Sequence, residues 1–249
     1  MVSLNFWLIY YSLRHRIHME YAKLYYKMEV EPPNKPHVLI VLGMAGSGKS
    51  SFIRRFNASF PDTYWVNLDP AVNKLAFPAK LDIKDTINFK DIMQKHKLGP
   101  NGAIMTSLNL YATQFDQVLK ILEEKTSHPY IVIDTPGQIE AFTWSASGAI
   151  ITETLAFSFP TTIVYVIDTT RCTNPNSFMS NMLYACSIYY KTRLPMLIVF
   201  NKTDVQPWAF AQNWMLDLDS FMTSLDEIAN ESYLATMNRS LSLVLDEFY

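Results

Sequence analysis

Glycine is scarce in this chain, and its placement is the feature that most restricts the fold. Only 7 of 249 residues are glycine, and Gly43, Gly46 and Gly48 stand within six positions of one another. They belong to residues 43–50, which fit the pattern G-x-x-x-x-G-K-[ST] between an apolar run at residues 37–42 and a segment with helical periodicity. There a glycine-rich backbone can fold around phosphate groups, and the next helix presents its positive end to them. The pattern predicts that the chain binds a nucleoside triphosphate.

Two side chains in this segment have a specific chemical task. Lys49 can reach the β- and γ-phosphates, and the Ser50 hydroxyl can bind Mg²⁺ beside them. The alternative is a glycine-rich turn between a strand and a helix, with an exposed lysine. We predict that the nucleotide contacts the whole segment: Gly43, Met44, Ala45, Gly46, Ser47, Gly48, Lys49, Ser50 and Ser51.

Composition excludes several classes of protein. Hydrophobic residues make up 49% and charged residues 18%, which argues against disorder and fibrous repeats. A formal charge of −2 without a basic run gives no electrostatic basis for direct nucleic-acid binding. Cys172 and Cys186 are too few for a disulfide framework, so a reducing compartment is the simpler interpretation.

Short β-branched runs alternate with longer segments of helical periodicity from residue 37 onward. This alternation predicts an α/β protein with a mostly parallel sheet flanked by helices. The family resemblance described below implies the P-loop NTPase fold. A helical insertion would carry a turn at residues 99–102. The predicted strands are residues 37–42, 64–68, 130–133, 162–167 and 196–200. The predicted helices run to residue 57, over 85–97, 104–125, 145–157 and 176–191, and from 210 to the end.

Residues 1–35 differ from the rest of the chain. They begin with an apolar stretch, and a basic cluster follows at Arg14, His15, Arg16 and His18. The apolar part is too short to span a bilayer and lacks the features of a signal peptide, so we expect no membrane partner. We expect a disordered or helical leader, ahead of a domain over residues 36–249.

A base-recognition motif follows the apolar run at residues 196–200. In Asn201-Lys202-Thr203-Asp204, the Asp204 carboxylate can accept from both the ring N–H and the exocyclic amino group of guanine. Asn201 can address another edge of the base, and Lys202 can lie along the ring. Adenine would leave the Asp204 carboxylate unpaired. Without the glycine turn, the tetrapeptide could equally be ordinary surface.

The segment after residues 130–133 has the form D-x-x-G. Asp134 would hold Mg²⁺ through water, the Gly137 N–H would bond the γ-phosphate, and Gln138 stands where GTPases place a water-positioning glutamine. Glu140 could help orient that water or be a solvated acid. Asp69, before Pro70, offers another carboxylate to the metal shell, although Asp-Pro is more often only a turn.

Together these segments resemble the GPN-loop GTPases, a dimeric branch of the P-loop GTPases. The signature is Gly99-Pro100-Asn101. The stretches beginning at Asn67, Asp134 and Asn201 look like those of the first eukaryotic paralogue, which is linked to assembly and nuclear import of RNA polymerase II. The likeness covers about residues 37–249. It implies GTP or GDP and Mg²⁺ as ligands, with Ser50, Asp69 and Asp134 toward the metal and Asp69, Asn101, Gln138 and Glu140 in hydrolysis. It also implies nucleotide contacts at Gly99, Pro100, Gly137, Asn201, Lys202 and Asp204.

Local chemistry alone makes Pro-Asn-Gly at residues 100–102 a turn. The resemblance implies more, since in the family this loop reaches across a dimer toward the partner's nucleotide. The D-x-x-G segment contains no arginine that could neutralise charge in cis, so a partner's polar groups could supply that stabilisation. We expect a homodimer, or a heterodimer with a related GPN-loop GTPase, and RNA polymerase II subunits or assembly factors as further partners.

The chain departs from the family pattern at both ends. The start before His37 is unlike the family's short start, and after Tyr249 we expect a further strand and an acidic tail that this chain lacks. The leading hypothesis is a Mg²⁺-dependent GTPase that acts as a dimeric switch. One alternative is an assembly adaptor with little or no turnover, which is expected if the chain is truncated. Another is an ATPase of the related dimeric branch. We expect a cytoplasmic protein that can shuttle to the nucleus.

Overall fold

The computed structural model describes residues 9–10, 35–75, 77–125, 127–228 and 240–242. The chain divides into two compact units. Of the described residues, the larger unit contains those between 35 and 166 and residues 192–197, and the smaller contains residues 9–10, 167–191, 198–228 and 240–242. The predicted leader, apart from residues 9–10 and 35, and the predicted helix beyond residue 228, apart from 240–242, lie outside the described residues.

The strands and helices alternate along the chain as the sequence predicts. The described strands are β1 (Ile9–Tyr10), β2 (His37–Leu42), β3 (Tyr64–Asn67), β4 (Leu81–Asp82), β5 (Tyr130–Asp134), β6 (Thr161–Asp168) and β7 (Met196–Asn201). The described α-helices are α1 (Lys49–Ser59), α2 (Ile83–Thr86), α3 (Phe89–His96), α4 (Pro100–Ala112), α5 (Phe115–Glu123), α6 (Ile139–Thr143), α7 (Ala146–Ser158), α8 (Pro175–Thr192), α9 (Ala209–Leu216) and α10 (Leu218–Ile228).

The sheet of the larger unit is parallel, as predicted. β2 pairs with β5 on one side and with β6 on the other, while β3 pairs with β5 and with β4. The order in this unit is therefore β6-β2-β5-β3-β4. Val38 stands opposite Ile131 and Thr161, and β2, β3, β5 and β6 are almost entirely buried. Burial on both faces explains why these strands are apolar runs without alternation.

Helix α4 lies at the centre of the helical contacts of the larger unit, against α3, α6 and α7. α7 begins where the Ser145 hydroxyl accepts from the Gly148 N–H at 3.0 Å. A Cβ at Gly148 would collide with the Phe142 carbonyl group, so this close approach requires glycine. The sequence alone suggests no role for Gly148. In the structure it allows α7 to pack closely against the Phe142 carbonyl group.

The smaller unit contains the ends of β6 and β7 together with most of α8, α9 and α10. An aromatic cluster joins its helices: Phe178 and Phe221 both contact Trp214, with ring centroids 5.2 Å and 5.6 Å away. The Trp214 indole N–H donates to the Ser224 hydroxyl at 3.0 Å, so the polar atom of this ring is satisfied.

Four element predictions are wrong in detail. The helix expected from residue 210 onward is divided at Asp217 into α9 and α10 within the described residues. The helix expected over residues 85–97 is divided, because Asn88 accepts from the N–H groups of Lys90 and Asp91 and so begins α3 anew. The helix expected over 104–125 is divided into α4 and α5. The turn expected at 99–102 is the first turn of α4: Gly99 is its N-cap and Pro100 its first residue. Proline suits that position because the first N–H of a helix has no internal partner.

Within the described ranges, no helix combines the length and apolarity needed to cross a membrane.

Candidate nucleotide-binding site

The glycine turn joins β2 to α1. Gly46 and Gly48 have φ of 79° and 90°, in the left-handed region that favours glycine. A Cβ at Gly43 would lie 2.5 Å from the Val166 carbonyl oxygen, so the turn passes too close to β6 for any other residue. The Ser47 N–H donates to the Met44 carbonyl at 3.0 Å, which closes the loop. The N-terminus of α1 therefore opens directly from a compact glycine-rich loop, the arrangement that binds phosphate groups.

Lys49 folds back across this loop. Its ammonium donates to the Gly43 carbonyl at 2.7 Å, and the residue is only 8% exposed. Burial lowers the pKa of Lys49, while the charges of Asp134 and Asp69 oppose that effect. A positive charge is thus held beside two carboxylates in a poorly solvated place, where an anionic ligand would interact with it strongly.

Asp134 is the buried last residue of β5. The loop after β3 is hydrogen-bonded to its carbonyl group. The Leu68 N–H donates to the Asp134 carbonyl at 2.8 Å, and the Thr135 hydroxyl donates to the Val41 carbonyl at 2.7 Å. Burial raises the pKa of Asp134 to about 7; the charge of Lys49 opposes this rise, and that of Asp69 adds to it. A cation bound beside Asp134 would lower this pKa and so stabilise the charged carboxylate.

Asp69 connects the loop after β3 to the D-x-x-G segment. Its carboxylate accepts from the Gly137 N–H at 3.3 Å and from the Ala71 N–H at 2.9 Å. Burial raises the pKa of Asp69, and these two N–H groups oppose the rise. Gly137, predicted to bond the γ-phosphate, is thus in contact with a carboxylate predicted for the metal shell.

Asn101 and Gln138 meet within one chain. The Gln138 amide N–H donates to the side-chain oxygen of Asn101 at 2.6 Å. Asn101 lies in the first turn of α4, and Gln138 is the N-cap residue of α6. Glu140 is exposed in the first turn of α6. Two residues predicted to act in hydrolysis are therefore bonded to each other in cis.

The base-recognition motif belongs to the smaller unit, at the end of β7. Lys202 has φ of 63°, and its ammonium pairs with the Asp168 carboxylate at 2.6 Å. Burial raises the pKa of Asp168, but bonds from Lys202 and Thr170 outweigh it, so the pKa lies below its ordinary value. The Thr169 hydroxyl donates to the Asn201 carbonyl at 2.6 Å. Asp204 is exposed, which leaves its carboxylate accessible to a ligand.

Sequence reasoning missed Asp168, which fixes the Lys202 ammonium. A signal was present: Asp168 ends the buried strand β6, and polar residues that follow parallel strands commonly face ligands. It missed Asn67 and Asp82 as well, because their contacts join residues 15 positions apart.

The oxygen donors of the larger unit suit Mg²⁺. Asp69 and Asp134 supply carboxylates, and Ser50 is exposed in the first turn of α1. Among the described residues, no group of three or more His, Cys, Asp or Glu side chains could hold a metal ion. A cation here would take further ligands from water and phosphate, which is the usual coordination of Mg²⁺.

The parallel sheet, with a glycine turn that leads from β2 into α1, defines the P-loop NTPase fold. A family model described as a conserved hypothetical ATP binding protein matches residues 41–249. The GPN-loop GTPase 1 of Dictyostelium discoideum is 54% identical over 220 residues, which cover 86% of this chain and 55% of that relative. The GPN-loop GTPase PAB0955 of Pyrococcus abyssi is 30% identical over 172 residues, 68% of each chain.

A solved structure agrees with these relatives. The crystal structure of PAB0955, described as a GTPase in apo form, matches with a TM-score of 0.71 and 26% identity, and the match covers 83% of this chain and 84% of that one. The chain belongs to the GPN-loop GTPase family. It spans little more than half the length of the Dictyostelium relative, 55%.

Proposed function

We propose that this chain binds GTP together with Mg²⁺ and hydrolyses it to GDP and phosphate. The observation that carries the proposal is the Lys49 ammonium, buried across the glycine turn beside the carboxylates of Asp69 and Asp134. A triphosphate brings anionic oxygens to the lysine, and Mg²⁺ brings positive charge to the carboxylates. Each ligand would thus satisfy a charge that the fold has already buried.

Guanine is the base that fits the motif at the end of β7. Asp204 is exposed and can accept from both donors of guanine, whereas adenine would leave its acceptors unmatched. Asp168 holds the Lys202 ammonium in place. The proposal therefore favours GTP over ATP, although the matching family model is described as ATP binding.

Hydrolysis requires a water molecule in line with the γ-phosphorus and stabilisation of the charge that develops on the phosphate oxygens. Mg²⁺, when bound, would neutralise part of that charge. Lys49 would stabilise the β- and γ-phosphate oxygens, and the Gly137 N–H would donate to the γ-phosphate. Gln138 would orient the attacking water, with Glu140 as its neighbour in the first turn of α6.

The proposed hydrolysis takes place in a dimer, with a second copy of this chain or with a related GPN-loop GTPase. The family resemblance supports this, together with the lack of an arginine between Asp134 and Gln138. Asn101 would then donate from its amide N–H groups to the partner's nucleotide, while its oxygen accepts from Gln138 of the same chain. The wider role proposed from the same resemblance is in RNA polymerase II assembly and nuclear import, in the cytoplasm and nucleus.

The variant Asp204→Asn tests the proposed function. An amide at this position presents an N–H donor that clashes with the guanine donors but matches the carbonyl group that xanthine carries at the same place. We expect GTP affinity to fall by at least about 100-fold and XTP to bind instead, measured by fluorescence titration with Mg²⁺. Asp219→Asn, at an exposed acid of α10, is the matched control and should keep the preference for GTP. An unchanged preference in Asp204→Asn contradicts the assignment of the base site.

A further inference from the structure

A polar cluster made of Asn67, Asp82 and Lys84 lies beside the loop that carries Asp69. None of the three residues is among those predicted to contact the nucleotide or Mg²⁺. Asn67 is the last residue of β3 and is 0% exposed. Asp82 ends the two-residue strand β4, which pairs with β3 so that Asn67 and Asp82 stand opposite each other. A buried amide at this position requires hydrogen-bond partners.

The partners of the Asn67 amide are the Asp69 backbone and the Asp82 carboxylate. Its amide N–H groups donate to the Asp69 carbonyl at 3.1 Å and to the Asp82 carboxylate at 2.8 Å. Its side-chain oxygen accepts from the Asp69 N–H at 3.0 Å. The side chain thus holds both backbone polar groups of Asp69, and Asp82 fixes the orientation of the amide.

Lys84 completes the cluster from α2. Its ammonium pairs with the Asp82 carboxylate at 3.4 Å and donates to the Val72 carbonyl at 3.2 Å. The loop that contains Asp69 is therefore attached at residue 69 by Asn67 and at residue 72 by Lys84. Asp82 also accepts from the Lys84 N–H at 3.0 Å and so begins the helix from which Lys84 extends.

The position of Asp69 depends on these attachments. Its carboxylate accepts the Gly137 N–H, the group proposed for the γ-phosphate, and its charge acts on Lys49 and Asp134. Without these attachments, the loop would carry the Asp69 carboxylate away from Gly137, Lys49 and Asp134. Residues that orient ligand-holding carboxylates without touching the ligand commonly contribute about 10-fold to 100-fold to metal affinity.

We propose that Asn67, with Asp82 and Lys84, is a positioning residue that holds the Asp69 loop in place at the nucleotide site and so sets the affinity of that site for Mg²⁺. The inference rests on the proposed function, since it deepens the description of the same site. Asn67 does not touch the nucleotide; it acts through the Asp69 backbone.

The test compares Asn67→Asp, Lys84→Met and the double variant Asn67→Asp/Asp82→Asn in the 249-residue chain. Asn67→Asp keeps the shape, removes both donors and places two carboxylates together. In the double variant the new amide at position 82 can donate to the new carboxylate at position 67. Lys84 is partly exposed, so Lys84→Met gives a second variant that should fold even if the Asn67 variant does not. Lys80→Met, an exposed lysine before β4, is the control.

The main measurement is the Mg²⁺ concentration for half-maximal binding of a fluorescent GTP analogue, well below each melting temperature. We expect it to rise about 10-fold to 100-fold in Asn67→Asp, less in Lys84→Met and not in Lys80→Met. The double variant should recover part of the loss, because it restores the pair between positions 67 and 82 but not the donor to the Asp69 carbonyl. A second readout needs no nucleotide: the Gly137 amide should exchange its hydrogen faster in Asn67→Asp.

Three outcomes overturn the inference. If Asn67→Asp and Lys84→Met lower stability but leave the Mg²⁺ requirement and Gly137 exchange unchanged, the cluster is merely structural. If the double variant is no better than Asn67→Asp, the pairing of positions 67 and 82 does not act as stated. A wild-type chain that binds neither GTP nor GDP refutes the proposed function and the inference with it, so the two failures are distinguishable.

Discussion

Asn101 has two different contacts to consider, one within its own chain and one proposed with the nucleotide of a partner. In this structure its amide oxygen accepts from Gln138 at 2.6 Å, at the exposed start of α4. In the proposed dimer the same amide would act on the partner's nucleotide. Phosphate oxygens accept hydrogen bonds, so the Asn101 amide N–H groups would make the contact with the partner's nucleotide while its oxygen still accepts from Gln138.

We expect Asn101→Ala to leave GTP affinity unchanged and to lower single-turnover hydrolysis. The loss of one polar group that stabilises the transition state corresponds to about a 100-fold effect. Asn109→Ala, at an exposed position of the same helix, is the control for a change in α4 itself. Rapid-quench measurement of phosphate release would check the prediction, and an unchanged rate in Asn101→Ala would exclude a role for this residue.

At the scale of elements, strand ends bring the polar groups of the larger unit together. Asn67 ends β3 and Asp134 ends β5, and these parallel strands are neighbours with Asn67 opposite Asp134. The glycine turn follows β2, which pairs with β5 on its other side. Because parallel strands end at the same edge, groups far apart in sequence meet at one site.

His37 gives the pairing of β2 with β6 a dependence on pH. The side chain bonds the Thr162 hydroxyl at 2.8 Å, and burial lowers the pKa of His37 below the ordinary value of 6.5. Below pH 6.5 the unfolded chain therefore binds a proton that the folded chain resists, so the free energy of unfolding falls as the pH falls.

We expect His37→Gln to reduce this loss of stability between about pH 7 and about pH 5, because glutamine does not titrate there. Urea unfolding at a series of pH values would measure it. His96→Gln, at an exposed position of α3, is the comparison variant. Equal pH dependence in wild type and His37→Gln would show that the buried imidazole has no part in acid sensitivity.

The sequence allows prediction of the elements that depend on local pattern. The five predicted strands are confirmed to within a residue at each end, because buried parallel strands appear as uninterrupted apolar runs. The prediction of a turn at residues 99–102 is wrong because glycine and proline also mark the start of a helix. Only the packing of α4 decides between a turn and a helix start.

The same distinction holds for the candidate site. The residues of the glycine turn and the D-x-x-G segment could be named from motifs, since their chemistry depends on a few consecutive positions. Asn67 and Asp168 could not, because their partners lie 15 and 34 positions away. Their importance depends on the register of neighbouring strands, which composition and local pattern leave undetermined.

At the scale of the whole molecule, the proposed function requires both compact units. The larger unit contains the residues proposed to bind the phosphates and Mg²⁺, and the smaller unit contains the motif proposed to select the base. A phosphate-binding turn and a base-recognition tetrapeptide are each common in proteins when they occur separately. Their combination in one chain is what favours a GTP-specific hydrolase over a general nucleotide-binding protein.

The most direct test offers GTP and ATP side by side to the purified chain with Mg²⁺, and measures both affinity and phosphate release. We expect tight binding of GTP, weak binding of ATP, and release of phosphate from GTP only. GTP binding without release would favour the assembly adaptor. Tight binding of ATP, or no nucleotide binding at all, would show that this chain is not the GTP-specific hydrolase proposed.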